Sequence, residues 1–211
     1  MARSVERPGL VPATPETIRR AAELLNHGEL VVVPTETVYG VAARADAPEA
    51  MAKLYAAKGR DESKRIALFA DGIESVRASG ARVDAVAERL AAAFWPGPLT
   101  LVLPAAAGEW VGFRVPDHAT ALAWLRELGG TVPAVTSANR SGEPAARTAQ
   151  EAWDALAPHV ALALDAGPVA QGAPSTVVRV SAGKIEILRP GPIGREALER
   201  AAQRPARDGG K

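Results

Sequence analysis

Residues 28–40 read GELVVVPTETVYG, and this stretch decides the fold class. Its first half is an apolar run through Leu30, Val31, Val32 and Val33, too short for a helix and dominated by β-branched side chains, which predicts a buried strand. The run closes on three hydroxyl residues, Thr35, Thr37 and Tyr39, placed around Glu36, so the strand ends at a polar edge able to hold a small ligand. A strand terminus satisfying its own backbone reads equally well there. Gly40 marks the expected turn. Working outward, Thr14 before Pro15 supplies an N-cap and a first helical position for a helix to about Leu25. On the other side, Asp46 and Glu49 have the spacing of a capping box, with Pro48 in the first turn. That box opens a helix carrying Met51, Leu54 and Tyr55 on one face and running into Lys58-Gly59-Arg60.

The remainder alternates less regularly. IALFA (66–70), LTLVLP (99–104), VGFRVP (111–116) and VPAVTSA (132–138) read as strands, as do LALDAG (162–167), STVVRVSAG (175–183) and KIEILRPG (184–191). Helices are expected near 73–79 and 83–94, over ALAWLREL (121–128), and over GREALERAAQ (194–203). Thr148 with Glu151 forms a second capping box, and Ser181-Ala182-Gly183 reads as a hairpin turn. This order predicts an α/β chain with a twisted, mixed, largely antiparallel sheet and flanking helices, rather than a doubly wound parallel fold. One domain spans 13–203, with an irregular extension over 1–12 and a frayed tail over 204–211.

Of 211 residues, 47% are hydrophobic and 23% charged, the profile of a globular domain large enough to build a core without staples. With no cysteine, disulfides, thiolate nucleophiles and cysteine zinc sites are excluded. The first residues lack an apolar signal core and no run is long enough to span a bilayer, so a cytoplasmic protein is expected. Net charge is +1, so any anion binding must come from a local cluster of cations.

Familiar nucleotide signatures are missing. GPVAQGAPS (167–175) starts with P-loop glycine spacing but lacks the lysine and hydroxyl pair, and no GxGxxG follows a strand. His27, His118 and His159 lack ligand spacing and read as surface or structural, and no metal ligand set is expected from the chain. What remains is a set of polar clusters at strand ends. KGRDESKR (58–65) places Lys58, Arg60, Lys64 and Arg65 within eight residues, enough to neutralise a polyphosphate. Taken alone, it reads as a solvated loop balanced by Asp61 and Glu62. TSANRSGEP (136–144) delivers Thr136, Ser137 and Asn139 to a Gly/Pro turn suited to an anion nest. Arg114, the Ser175-Thr176 pair and Arg189 each sit where a strand begins or ends.

Taken in order, PTETVYG, the K-x-R of Lys58 and Arg60, FWPGPLT (94–100), RVP (114–116), the S-x-N of Ser137 and Asn139, STV (175–177) and LRPGPI (188–193) resemble the YrdC family of threonylcarbamoyl-AMP synthases. The resemblance runs from about residue 17 to 193. It implies a YrdC/RibB-like fold with a concave basic face. It also implies synthesis of threonylcarbamoyl-AMP and pyrophosphate from L-threonine, bicarbonate and ATP with Mg2+, by a nucleotidyltransferase. A partner transferase would pass the group to adenosine 37 of tRNA. Carried over by position, Lys58, Arg60, Ser137, Asn139 and Arg189 would bind ATP, with Lys64 near it; Thr35, Arg114 and Ser175 would bind threonine, Arg114 through its carboxylate. The family's usual catalytic set corresponds to Lys58, Arg60, Ser137 and Asn139. Three positions depart from the family pattern: Phe69 stands for a common histidine, Arg65 for a proline and Ala145 for a serine seen in some members. The longer branch's C-terminal domain is not expected. Two alternatives stand beside the enzyme: a module binding double-stranded RNA or tRNA on the basic face, and a divergent paralogue acting on another carbamoyl-type substrate. Near-neutral charge and few aromatics weigh against RNA as the main ligand.

Overall fold

A computed structural model describes residues 9–105, 108–169 and 172–203. Along the chain run β1 (Gly9–Pro12), α1 (Pro15–Asn26), β2 (Val31–Val33), β3 (Gly40–Ala43), α2 (Pro48–Lys58), β4 (Ala67–Phe69), α3 (Ile73–Ala78) and α4 (Ala85–Phe94). Then follow β5 (Leu99–Pro104), β6 (Trp110–Arg114), α5 (Ala119–Glu127), β7 (Ala134–Ser137), α6 (Ala149–Leu156), β8 (Leu162–Asp165), β9 (Thr176–Ser181), β10 (Lys184–Arg189) and α7 (Arg195–Gln203). All ten strands form one sheet in the order β1-β8-β2-β3-β7-β4-β6-β5-β9-β10.

The sheet is mixed, but the expectation of a largely antiparallel one needs correcting. Four neighbouring pairs are parallel (β1–β8, β2–β8, β4–β6, β5–β9) against five antiparallel. The helices between paired strands permit parallel crossovers that tight turns cannot. β8 does not join the C-terminal hairpin; it lies between β1 and β2 at the far edge. Residues 9–12, expected to be irregular, form edge strand β1, where Pro12 costs no ladder bond on a paired side. The stretches 1–8 and 204–211 lie outside the described residues.

Two local expectations fail for identifiable reasons. Asp46 does not cap α2: its carboxylate is taken by Arg44, at 2.8 Å from Nε, and the helix starts from Ala47 and Pro48 without a side-chain cap. Gly40 is no turn residue but the first residue of β3, paired to Ser137 and closing a six-residue loop from β2. A Cβ there would sit 2.7 Å from Val135 Cγ1, so close packing of β3 on β7 requires glycine. Thr14 and Thr148 both cap as expected, with reciprocal bonds to Thr17 and Glu151. The hairpin turn at Ala182-Gly183 has both residues at positive φ, as two-residue loops require.

Coverage of the sheet explains where a ligand can go. One face is packed along its whole width: α2 and α6 cover β2, β3 and β8 through Leu54, Ala57, Ala152 and Leu156, and α3, α4 and α7 cover β5, β6 and β9 through Val76, Leu90 and Leu198. On the opposite face α1 and α5 cover only the β8-β2-β3-β7 half, through Leu25, Trp124 and Leu125. In β5, Leu99, Leu101 and Leu103 point into the packed layer, so Thr100 and Val102 face the other way. The same alternation sets Trp110, Gly112 and Arg114 of β6, and Val177 and Arg179 of β9, on the uncovered face. An open half-face of sheet is the result.

Candidate active site

That open face is a cleft of about 540 Å³. Five arginines line it, Arg60, Arg65, Arg114, Arg179 and Arg189, and no carboxylate is among the described lining residues. In a chain of net charge +1 this concentrates positive potential in one concavity. Arg189 shows the consequence: burial first, then the charges of Arg114 and Arg60, push its pKa below the usual guanidinium value.

Arg114 is the most deeply set. It is 5% exposed at the end of β6, and burial pulls its pKa down against the opposing pull of Glu36. Nη2 donates to Thr37 Oγ1 at 2.8 Å and lies 2.8 Å from Glu36 Oε1, Nε donates to the Gly97 carbonyl at 3.3 Å, and Phe69 stacks with its centroid 5.4 Å from Cζ. Glu36 is held by this ion pair, and its buried carboxylate oxygens have no other partner among the described residues. Nη1 has no protein acceptor among the described residues and is available to a bound carboxylate. Nearby His118, half-buried, has its pKa lowered by burial despite the neighbouring Glu36 and Asp117.

The hydroxyl loop folds around its own groups. Thr35 Oγ1 donates to the Val38 carbonyl at 2.7 Å, lies 2.9 Å from Thr37 Oγ1, and accepts from the Thr37 and Val38 amides. Tyr39 fastens the loop through Gly167, its hydroxyl donating at 2.7 Å. Across the cleft, Ser175 Oγ lies 2.8 Å from Thr100 Oγ1, and Arg189 grips the Ser175 carbonyl with Nε at 3.2 Å and Nη2 at 2.8 Å. Gly191 permits this junction, since a Cβ there would meet the Thr176 amide nitrogen at 2.5 Å.

Thr35, Arg60, Arg114, Ser137, Ser175 and Arg189 therefore converge on one cleft from six separate stretches of chain. Lys58 and Asn139 do not line it; they lie directly behind. Lys58 is 2% exposed, its Nζ donating to the carbonyls of Ser137 at 2.5 Å and Asn139 at 2.6 Å, while Ser141 N returns a bond to the Lys58 carbonyl. Burial, with Arg60 close by, pulls its pKa to about 8. The left-handed Gly59 ends α2 and directs Lys58 at the S-x-N turn. Asn139 donates to the Arg140 and Glu143 carbonyls, and its buried Oδ1 has no partner. Lys64 is exposed and outside the lining; only its carbonyl takes part, accepting from Arg60 Nε at 3.2 Å.

Sequence reasoning gave no site role to Glu36, Thr100, Trp110 or Arg179. The signal for Arg179 was present: in TVVRVS the buried Val178 and Val180 force it onto the opposite face. The Glu36–Arg114 pair had no such signal, because 78 positions of sequence separate the loop after β2 from the end of β6, and only the fold brings them together.

Known proteins resemble this chain in sequence and in fold. The Sua5–YciO–YrdC family model, described as "Telomere recombination", matches residues 23–191. The Bacillus subtilis protein named threonylcarbamoyl-AMP synthase is 38% identical over 192 residues, 86% of this chain and 55% of that protein. A Bos taurus protein of the same name is 37% identical over 193 residues, 83% of this chain and 68% of that protein. The structure of Pyrococcus abyssi Sua5 complexed with L-threonine superposes with a TM-score of 0.84 at 31% identity, over 92% of this chain and 59% of that one. The chain thus spans little more than half the length of the B. subtilis and P. abyssi proteins. A family match over more than three quarters of the residues, with relatives 37–38% identical over more than four fifths of this chain, places the chain in the Sua5–YciO–YrdC family.

Proposed function

We propose that the chain is a threonylcarbamoyl-AMP synthase, a nucleotidyltransferase that joins L-threonine, bicarbonate and the adenylyl group of ATP. The observation that carries this reading is the carboxylate-free cleft in which Arg114 sits against the Thr35 loop while Arg60 and Arg189 stand on its walls. The relatives named for the reaction, and the P. abyssi protein's complex with L-threonine, support it.

Threonine's amine and bicarbonate would give an N-carboxylate with loss of water. One carboxylate oxygen then attacks the α-phosphorus of ATP, and the bond from that phosphorus to the bridging oxygen breaks, releasing pyrophosphate. Both partners are anions, so the chain's task is to offset their repulsion and hold them in line. Arg114 would take the threonine carboxylate on Nη1, its other nitrogens being held by Thr37, Glu36 and Gly97. Ser175 and Thr35 would face the remaining polar groups of the amino acid. Arg60, Arg189 and the Ser137 turn would hold the phosphates and stabilise charge developing on the phosphorane. Lys58 and Asn139 act one layer back, fixing the turn that carries Ser137. ATP would enter as its magnesium complex, the ion supplying further charge compensation on the phosphates. The activated product would pass to a tRNA-modifying transferase in the cytoplasm.

The test is pyrophosphate release by purified protein. Release that requires threonine and bicarbonate together supports the synthase. ATP binding without threonine-dependent release supports the divergent paralogue instead. Binding of double-stranded RNA that falls steeply with salt and ignores threonine supports the RNA module.

A further inference from the structure

Two titratable groups beside Arg114, Glu36 and His118, take no part in the chemistry above except that Glu36 holds the guanidinium. The Arg114 and Glu36 side chains are only 6% and 11% exposed, so water screens neither charge well. Glu36 depends on that guanidinium, since its buried oxygens have no other partner among the described residues. His118, at the N-cap of α5, is half-buried, and its buried Nδ1 also lacks a partner. The charges of Glu36 and Asp117 favour the imidazolium, but burial outweighs them and holds the pKa of His118 below the ordinary 6.5. The ring is therefore neutral near pH 7. His27 and His159 lie on a separate groove beside Lys53, so His118 is the one imidazole at this end of the sheet. The other charged neighbours are arginines: Arg189 feels the charge of Arg114 across the cleft, and Arg60 stands beyond it. Both keep their charge throughout.

A substrate carboxylate arriving at Nη1 makes one guanidinium serve two carboxylates. In a buried site the added negative charge is costly, and a proton taken up nearby relieves it. The amino acid's own ammonium offers no lasting compensation, because its charge is lost when the N-carboxylate forms. We propose that Glu36 and His118 form a proton-linked counter-ion to Arg114: as the amino-acid carboxylate docks, His118 takes a proton from solvent and its imidazolium offsets the Glu36 charge. Only an N–H bond forms, on a ring nitrogen that was free, and nothing is oxidised or reduced. A half-buried ring suits this part, since one edge faces the interior while the rest reaches water. Glu36 is thereby a positioning residue that acts through Arg114. The inference rests on the amino-acid reading of Arg114 and adds proton uptake to it. Because His118 has its pKa below 6.5 in the empty site and a higher one in the filled site, threonine binds more tightly at low pH and loses affinity as pH rises through that window. Lys58, with its pKa at about 8, stays protonated there and contributes nothing.

The test is titration calorimetry with L-threonine near about pH 6.5, the ordinary histidine value, in MES and in Bis-Tris. The two buffers differ in heat of ionisation, so the difference between the measured heats gives the protons taken up. Threonine is already a zwitterion at that pH and takes up none itself. The wild type is expected to take up a measurable fraction of a proton for each threonine bound, with affinity falling from about pH 5.5 to about 7.5. His118→Gln should bind threonine without proton uptake and without that pH dependence. Glu36→Gln, which keeps an oxygen for Arg114 but removes the charge, should also lose the uptake, and Glu36→Asp should retain it. A purely structural role for either residue would alter stability or affinity but not the proton count. Thermal unfolding is checked first; should the Glu36 variants unfold, the wild type and His118→Gln decide between the outcomes. Threonine that binds the wild type without proton uptake, or uptake that survives either glutamine variant, overturns the inference and leaves the amino-acid reading of Arg114 standing. A wild type that binds no threonine overturns both.

Discussion

Arg114 carries the sharpest prediction at the scale of single residues. Its guanidinium is held on two sides and open on one, so Arg114→Ala should raise the threonine KM by tenfold or more while the ATP KM changes little. Loss of a charge-assisted contact is worth about 1.5–3 kcal/mol; equal effects on both substrates would remove Arg114 from the amino-acid end. Arg60→Ala should instead weaken ATP by a similar amount, read by direct titration. Lys58 gives a pH prediction. Burial holds its pKa near 8 in the folded chain against an ordinary 10.5, so between those values the unfolded chain binds more protons. This group's contribution therefore strengthens folding as pH rises from 8 to 10.5, and its cost is fully present below 8. The difference in unfolding free energy between wild type and Lys58→Met should shift toward wild type across that window, and a pH-independent difference would contradict it. The residues legible in the sequence were polar groups at strand ends, such as Arg114 and Ser175. What was not legible was depth: the S-x-N turn and the K-x-R segment are each local, but Lys58 lies beneath Ser137 only because α2 packs on β3, the strand paired with β7.

Close approach of strands governs the elements. Gly40 begins β3 with its α-hydrogen against Val135, so Gly40→Ala should destabilise the fold by about 1–3 kcal/mol, the usual cost of overpacking. Thr148→Ala should cost about 1 kcal/mol through the lost cap on α6, with little effect on the cleft. Chemical denaturation measures both, and a neutral Gly40→Ala would mean that β3 and β7 separate more easily than their packing indicates. Elements with a local signature could be read in advance: capped helices, the alternating strand LTLVLP, the hairpin around Ala182-Gly183. β1 and β3 could not. Each has four residues, and GVAA offers little intrinsic strand preference; both are strands because a neighbour supplies their hydrogen bonds. Sheet order is hidden for the same reason, since β8 and β9 follow each other in sequence and stand seven places apart in the sheet.

For the molecule as a whole, the asymmetry of the sheet is what matters. Helices cover one face entirely and the other by half, and the uncovered half collects five arginines from β4's approach, β6, β9, β10 and the K-x-R segment. Their fields add, so ATP affinity should fall as salt rises, while a purely apolar base contact would not respond. The concave basic face follows from alternation in strands that are packed on one side only. The most direct test of the account supplies the protein with Mg-ATP, L-threonine and 13C-bicarbonate and identifies the adenylate by mass spectrometry. The account predicts threonylcarbamoyl-AMP heavier by one mass unit than the product made with ordinary bicarbonate, with one pyrophosphate released for each adenylate. An adenylate that carries threonine without the label, or no adenylate under conditions where ATP is bound, would contradict it.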